Sequence, residues 1–155
     1  ATIPALTRHV AHDIEQARAL YLVIKRRVTR ALALLFGGLL IGAPLVSLAW
    51  FGSIDWAFIV IMAQLCIGIF ASGWCTPAYF LGQATGKLRG LIVSMTASLL
   101  LLGLLGLAFG IAGLPNLIVT ATTLALIVSS VMVVMWNEPL IGLGGRRTGM
   151  ARARS

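Results

Sequence analysis

The stretch Leu91 to Gly113, LIVSMTASLLLLGLLGLAFGIAG, decides the fold. It runs 23 residues without a charged side chain, and a helix of that length crosses a hydrocarbon core of ~30 Å. Gly103, Gly106, Gly110 and Gly113 follow one another at three- and four-residue steps, which sets them along one face of such a helix. In lipid, burying apolar surface against a neighbour gains little over leaving it in acyl chains. Close backbone packing is the main attraction left, and a glycine face permits it. Lys87 and Arg89 mark one end of the stretch and Leu114-Pro115-Asn116 the other. The reading is a spanning helix built to be approached.

The rest of the chain has the same character. Hydrophobic residues make up 59% of the 155 and charged residues 10%, with a mean hydropathy of +1.01. A water-soluble domain carries about 25% charged residues, so an ordinary soluble core is excluded. No second composition regime marks a separate domain. Twelve Lys and Arg against four acids give a net charge of +8. The positive residues gather in three patches, Arg8 to Arg30, Lys87 with Arg89, and Arg146 to Arg154, each flanking an apolar block. That placement reads as topology and contact with anionic headgroups, not as direct readout of nucleic-acid bases. Lys25, Arg26, Arg27, Arg30, Lys87, Arg89, Arg146 and Arg147 are the candidate headgroup residues. Bound phospholipid is the expected companion, and no other cofactor is implied.

Working outward toward the N-terminus, residues 1–30 are amphipathic. Leu6, Val10, Ile14, Ala17, Tyr21, Ile24 and Val28 recur at helical steps. This segment either runs on into the next helix as one rod or bends to lie in the interface. A first span of about 28–50 follows, with a Gly38-xxx-Gly42 pair and a kink expected near Pro44. The short turn from Gly52 to Asp55 makes a hairpin with the second span, about 56–80, and Asp55 is the expected N-cap. Gln64 should bond a neighbouring helix, and Gly68 and Ala71 supply a small face. Pro77 should end or kink this span, leaving a loop with Gly82, Gly86 and Gly90 as turn residues. The fourth span, about 116–136, carries Ala121, Ala125 and Ser129 on one face, and 138–155 is an expected flexible basic tail.

The expected fold is therefore an all-α membrane protein: four transmembrane helices in two antiparallel hairpins (bundle 31–137), preceded by an amphipathic N-terminal segment. Lys and Arg flank the start of span one, the loop between spans two and three, and the end of span four. The positive-inside rule then places both termini and that loop in the cytoplasm, with a bacterial inner membrane as the setting. The chain begins at Ala1, after either a trimmed initiator or a cleaved leader, and the first apolar block is expected to be retained.

Catalytic groups are sparse. Cys66 and Cys75 lie nine residues apart in one block, on opposite helix faces about 13 Å apart along the axis, too far to bridge. His9 and His12 share a helical face but lack a well-placed third ligand among the nearby Asp13 and Glu15. There is no HExxH, G-x-S-x-G, phosphate loop or CxxC. No carboxylate lies deep in a span, as a coupled transporter usually requires. The expectation is a non-enzymatic structural or assembly subunit of a larger membrane complex. Spans two and three around Gly86-Lys87-Leu88-Arg89-Gly90 resemble pilin hairpins in composition, without a diagnostic motif, which makes a secretion or conjugation apparatus one candidate. The alternatives are a small oligomeric channel or transporter and, last, a lipid-modifying enzyme.

Overall fold

A computed structural model describes residues 14–114 and 117–143. The described residues form helices joined by short turns, with no strand among them. The helices are α1 (Ile14–Phe51), α2 (Trp56–Trp74), α3 (Thr76–Ala84), α4 (Arg89–Ile111) and α5 (Ile118–Asn137), closed by a 3₁₀ turn at Glu138–Ile141. Four helical stretches are long and apolar enough to cross a membrane: Glu15–Phe51, Trp56–Ala84, Arg89–Ile111 and Ile118–Ile141.

From Ile14 onward the amphipathic segment and the first apolar block are one helix of 38 residues. At 1.5 Å per residue that is ~57 Å. The helix continues through Pro44. Local chemistry then sets the turn. Asp55 caps α2, its Oδ1 accepting from the N–H groups of Ala57 (2.8 Å) and Phe58 (3.3 Å), as its place in the sequence implied. Ser47, wholly buried, clips the same turn: its hydroxyl donates to Ser53 O at 3.1 Å and accepts from Asp55 N at 2.8 Å.

The region after Trp74 departs from expectation. The helix breaks at Cys75, because Pro77 has no N–H for the Gly73 carbonyl, and it resumes at once with Pro77 in the first turn of α3. Residues expected to form a loop are therefore helical. Of Gly82, Gly86 and Gly90, Gly86 alone acts as a turn glycine, at φ +70°. Gly86 N donates to Gln83 O and Lys87 N to Gly82 O, both at 3.1 Å, the paired bonds that satisfy a helix's last carbonyls. Gly82 and Gly90 instead lie inside α3 and α4. A Cβ on Gly82 would stand 2.5 Å from Leu91 Cδ1 and 2.9 Å from Asn137 Oδ1, and one on Gly90 2.9 Å from Trp136 Cβ. Their role is close approach.

The principal packing runs in the order α1, α2, α5, α4. Leu32 meets Gly73, Phe36 meets Phe70 and Phe51 meets Phe58, so numbers rise along α1 as they fall along α2. Between α2 and α5 they rise together: Thr120 Oγ1 donates to Gln64 Oε1 (3.3 Å), Thr123 Oγ1 donates to Gln64 O (3.1 Å), and Gly68 lies against Thr123 and Leu126. Ser98 Oγ donates across to Ala125 O at 3.2 Å, and Trp136 sits over Gly90, so α4 and α5 run oppositely. Hydroxyls from one helix reaching carbonyls or the amide of another are what an apolar medium favours. The apolar window of α5 is 33% buried against 11% for the other three. It is the central helix.

Candidate functional site

Tyr21 and Lys25 stand four residues apart on one face of α1. Helix α5 delivers Glu138 to that face, and Gly142, at φ +73°, closes the 3₁₀ turn that holds it: Gly142 N donates to Pro139 O (3.1 Å) and Leu143 N to Glu138 O (3.2 Å). The Tyr21 hydroxyl donates to Glu138 Oε1 at 2.7 Å, and Lys25 Nζ pairs with the same oxygen. Lys25 Nζ also lies 4.5 Å from the centre of the Trp74 ring and 5.8 Å from that of Tyr21, where the ring faces attract a cation.

This junction is well shielded. Tyr21 is 1% exposed, and the Lys25 and Glu138 side chains are each 20% exposed. Beneath it Tyr21, Cys75, Ala78, Leu81, Val133, Val134 and Ile141 form a buried apolar cluster. The Glu138 carboxylate thus ties α1 to the end of α5, and Lys25, lying over Trp74, brings in the end of α2. The carboxylate's charge is answered by protein groups, so the chemistry on offer is mechanical: it fixes where the first half of α1 lies as it leaves the bundle. Sequence reasoning placed Lys25 among headgroup contacts and Glu138 just beyond the fourth span, at the start of the tail. It missed their pairing, and it missed Tyr21 and Trp74 as partners.

A second polar feature is a cavity of about 210 Å³ at the α2–α3 break, lined by Ser72, Cys75, Thr76, Ser129 and Ser130 among others. Its donors turn inward: Cys75 Sγ and Thr76 Oγ1 donate to Ser72 O and Ser130 Oγ to Leu126 O. Among the described residues no group of three or more His, Cys, Asp or Glu could hold a metal. His9 and His12 lie outside the described residues. Cys66 and Cys75 are free and buried.

The small-residue positions divide in two. Gly68 is in contact with α5, Ala71 is half-buried, and Ala121 and Ala125 are buried. At Gly38, Gly42, Gly103, Gly106, Gly110 and Gly113, by contrast, an added Cβ would meet nothing within 4 Å. Gly113 has φ +69° and serves as a turn. Of the basic positions, Arg26, Arg27 and Arg30 are exposed beside Lys25, Lys87 is exposed on the turn before α4, and Arg89 is exposed as the first residue of α4. Arg146 and Arg147 lie outside the described residues. The Lys25 and Lys87–Arg89 patches come to the same end of the bundle, because residues Asn137 and Glu138 neighbour both. Asp55 lies at the opposite end.

Comparison with protein families, with characterised proteins and with solved structures finds no match to this chain. What fold and junction define is a class: an all-helical chain with four helices long and apolar enough to cross a membrane, clasped at its basic end.

Proposed function

We propose that this chain is a non-enzymatic, polytopic subunit with a structural role in a larger assembly of a bacterial inner membrane, its two helical hairpins inserted and its basic end in the cytoplasm. One observation carries the reading. Gly37, Gly38 and Gly42 on α1 and Gly103, Gly106 and Gly110 on α4 have open space where a side chain would stand. In the same chain Gly68, Gly73, Gly82 and Gly90 are filled against neighbours. A mid-helix glycine costs up to about 1 kcal/mol relative to alanine, and lipid tails return nothing for it. Six open glycines on the two outermost helices fit the approach of helices from other subunits or other copies. The clustering of Lys25, Arg26, Arg27, Arg30, Lys87 and Arg89 at one end supports the orientation.

The mass of the particle extracted in mild detergent tests the proposal. A particle well above the 16.4 kDa chain is expected, and the double variant G103L/G106L should reduce it toward a single chain while leaving helix content unchanged. A wild-type monomer overturns the assembly role. Liposomes holding only this protein should show no ion or solute flux; flux would favour the channel reading instead. A secretion or conjugation apparatus is one complex of this kind, and the partners recovered with the particle decide it.

A further inference from the structure

The cavity of about 210 Å³ at the α2–α3 break is built from three parts of the bundle. The broken helix supplies Ser72, Thr76 and Tyr79, α5 supplies Leu126, Ser129 and Ser130, and α4 supplies Met95. Met95 is 51% exposed, so the cavity has an edge on the outer surface of the bundle.

Its hydroxyls fall into two groups. Those of Thr76 and Ser130 donate to carbonyls one turn back, Ser72 O and Leu126 O. Those of Ser72, Ser129 and Tyr79 have no hydrogen-bond partner among the described residues, and none of the three is sealed from the surface. Elsewhere on the spans, hydroxyls that reach a neighbouring helix are answered: Ser98 donates to Ala125 O at 3.2 Å and Thr123 to Gln64 O at 3.1 Å. A hydrocarbon layer offers a hydroxyl no partner. Three unanswered ones around a single cavity therefore ask for an acceptor from outside the chain.

The lining narrows that acceptor's chemistry. No Lys, Arg, His, Asp or Glu lines the cavity, so a phosphate or a metal cation would enter it without a counter-charge. A neutral oxygen carries no such cost. Depth narrows it further. Along α5, Val133 and Ser129 lie five and nine residues before Glu138, which is ~8 and ~14 Å inward from the Lys25–Glu138 pair at 1.5 Å per residue. The interfacial layer on each side of the hydrocarbon core is about 5–8 Å thick. With the basic end among the headgroups, the cavity begins where that layer gives way to acyl chains, at the level of glycerolipid ester groups.

We propose that this cavity binds the diacylglycerol part of a phospholipid, the hydroxyls of Ser72, Ser129 and Tyr79 donating to its ester carbonyls. Leu126 and Met95 would lie along the start of an acyl chain. Such a site reads carbonyl oxygens and not headgroup charge. A lipid occupant requires the membrane insertion proposed above but not the assembly role.

The test uses the full chain, stripped of lipid in detergent, with bound lipid counted by native mass spectrometry. It is titrated with dioleoylphosphatidylcholine and, separately, with the dialkyl ether lipid of the same headgroup and chains, which lacks both carbonyl oxygens. Saturable binding of the ester lipid, at least about tenfold tighter than the ether lipid, is expected. S72A/S129A should weaken ester-lipid binding about tenfold and leave the ether lipid unchanged, so that the two bind alike. Y79F should weaken it severalfold. T122A removes a hydroxyl already bonded to Ile118 O on the same helix, and should change binding less than about twofold. If S72A/S129A does not fold, Y79F and the ester–ether comparison in the wild type still decide. Equal binding of the two lipids by the wild type, a loss from T122A matching that from S72A/S129A, or no bound lipid overturns the site. A lone-chain particle that still separates ester from ether lipid would defeat the assembly proposal and leave this one standing.

Discussion

A single methyl group discriminates between the two uses of glycine in this chain. At Gly90 it would stand 2.9 Å from Trp136 Cβ, an atom fixed by its own backbone. G90A should therefore destabilise the fold by about 1–3 kcal/mol. At Gly82 the nearest atom is the flexible end of Leu91, so G82A should cost less. At Gly106 nothing stands within 4 Å, and G106A should stabilise the isolated chain by roughly 0.5–1 kcal/mol through helix propensity. Unfolding in mixed detergent micelles, followed by circular dichroism, measures all three. Local sequence could not sort these glycines, because a turn and a close contact both ask for a missing side chain. Asp55 was legible for the opposite reason, since a cap bonds residues two and three positions on. The Tyr21 and Lys25 bonds to Glu138 span 117 and 113 residues, and no periodicity carries such a distance. Y21F removes a bond to a carboxylate and should cost about 1.5–3 kcal/mol, read by the same unfolding assay; no loss would mean that the bond is absent in the folded protein.

At the scale of elements, four long apolar helices were legible because each fills a window of bilayer length without internal charge. The short helix α3 was not. Pro77 and three glycines within the next thirteen residues gave it the composition of a loop, and only its packing on Tyr21, Val133 and Ile141 reveals it. Helix α1 raises a question of reach. Its ~57 Å exceeds a ~30 Å core, so its first turns should stand clear of the hydrocarbon. Single cysteines at Arg18 and Lys87, in a background with Cys66 and Cys75 replaced, should react with an impermeant maleimide from one side of the membrane and a cysteine at Ser53 from the other. Labelling of all three from one face would refute the proposed insertion.

Across the whole molecule, contacts are thin along the spans and dense at the basic end. Lys25 lies in the first described helix and Glu138 at the close of the last, yet they meet. The described chain is thereby fastened at both extremities as well as at its turns, and continuity of the backbone is not its only tie. A polypeptide severed after Ser53 and expressed as two pieces should reconstitute and copurify, through Phe36 on Phe70, Leu32 on Gly73 and the Lys25–Glu138 clasp. Adding K25M to one piece and E138Q to the other should lower the yield of the reunited pair. The seam between the pieces would then behave as a latch that can be opened and reclosed without a covalent link.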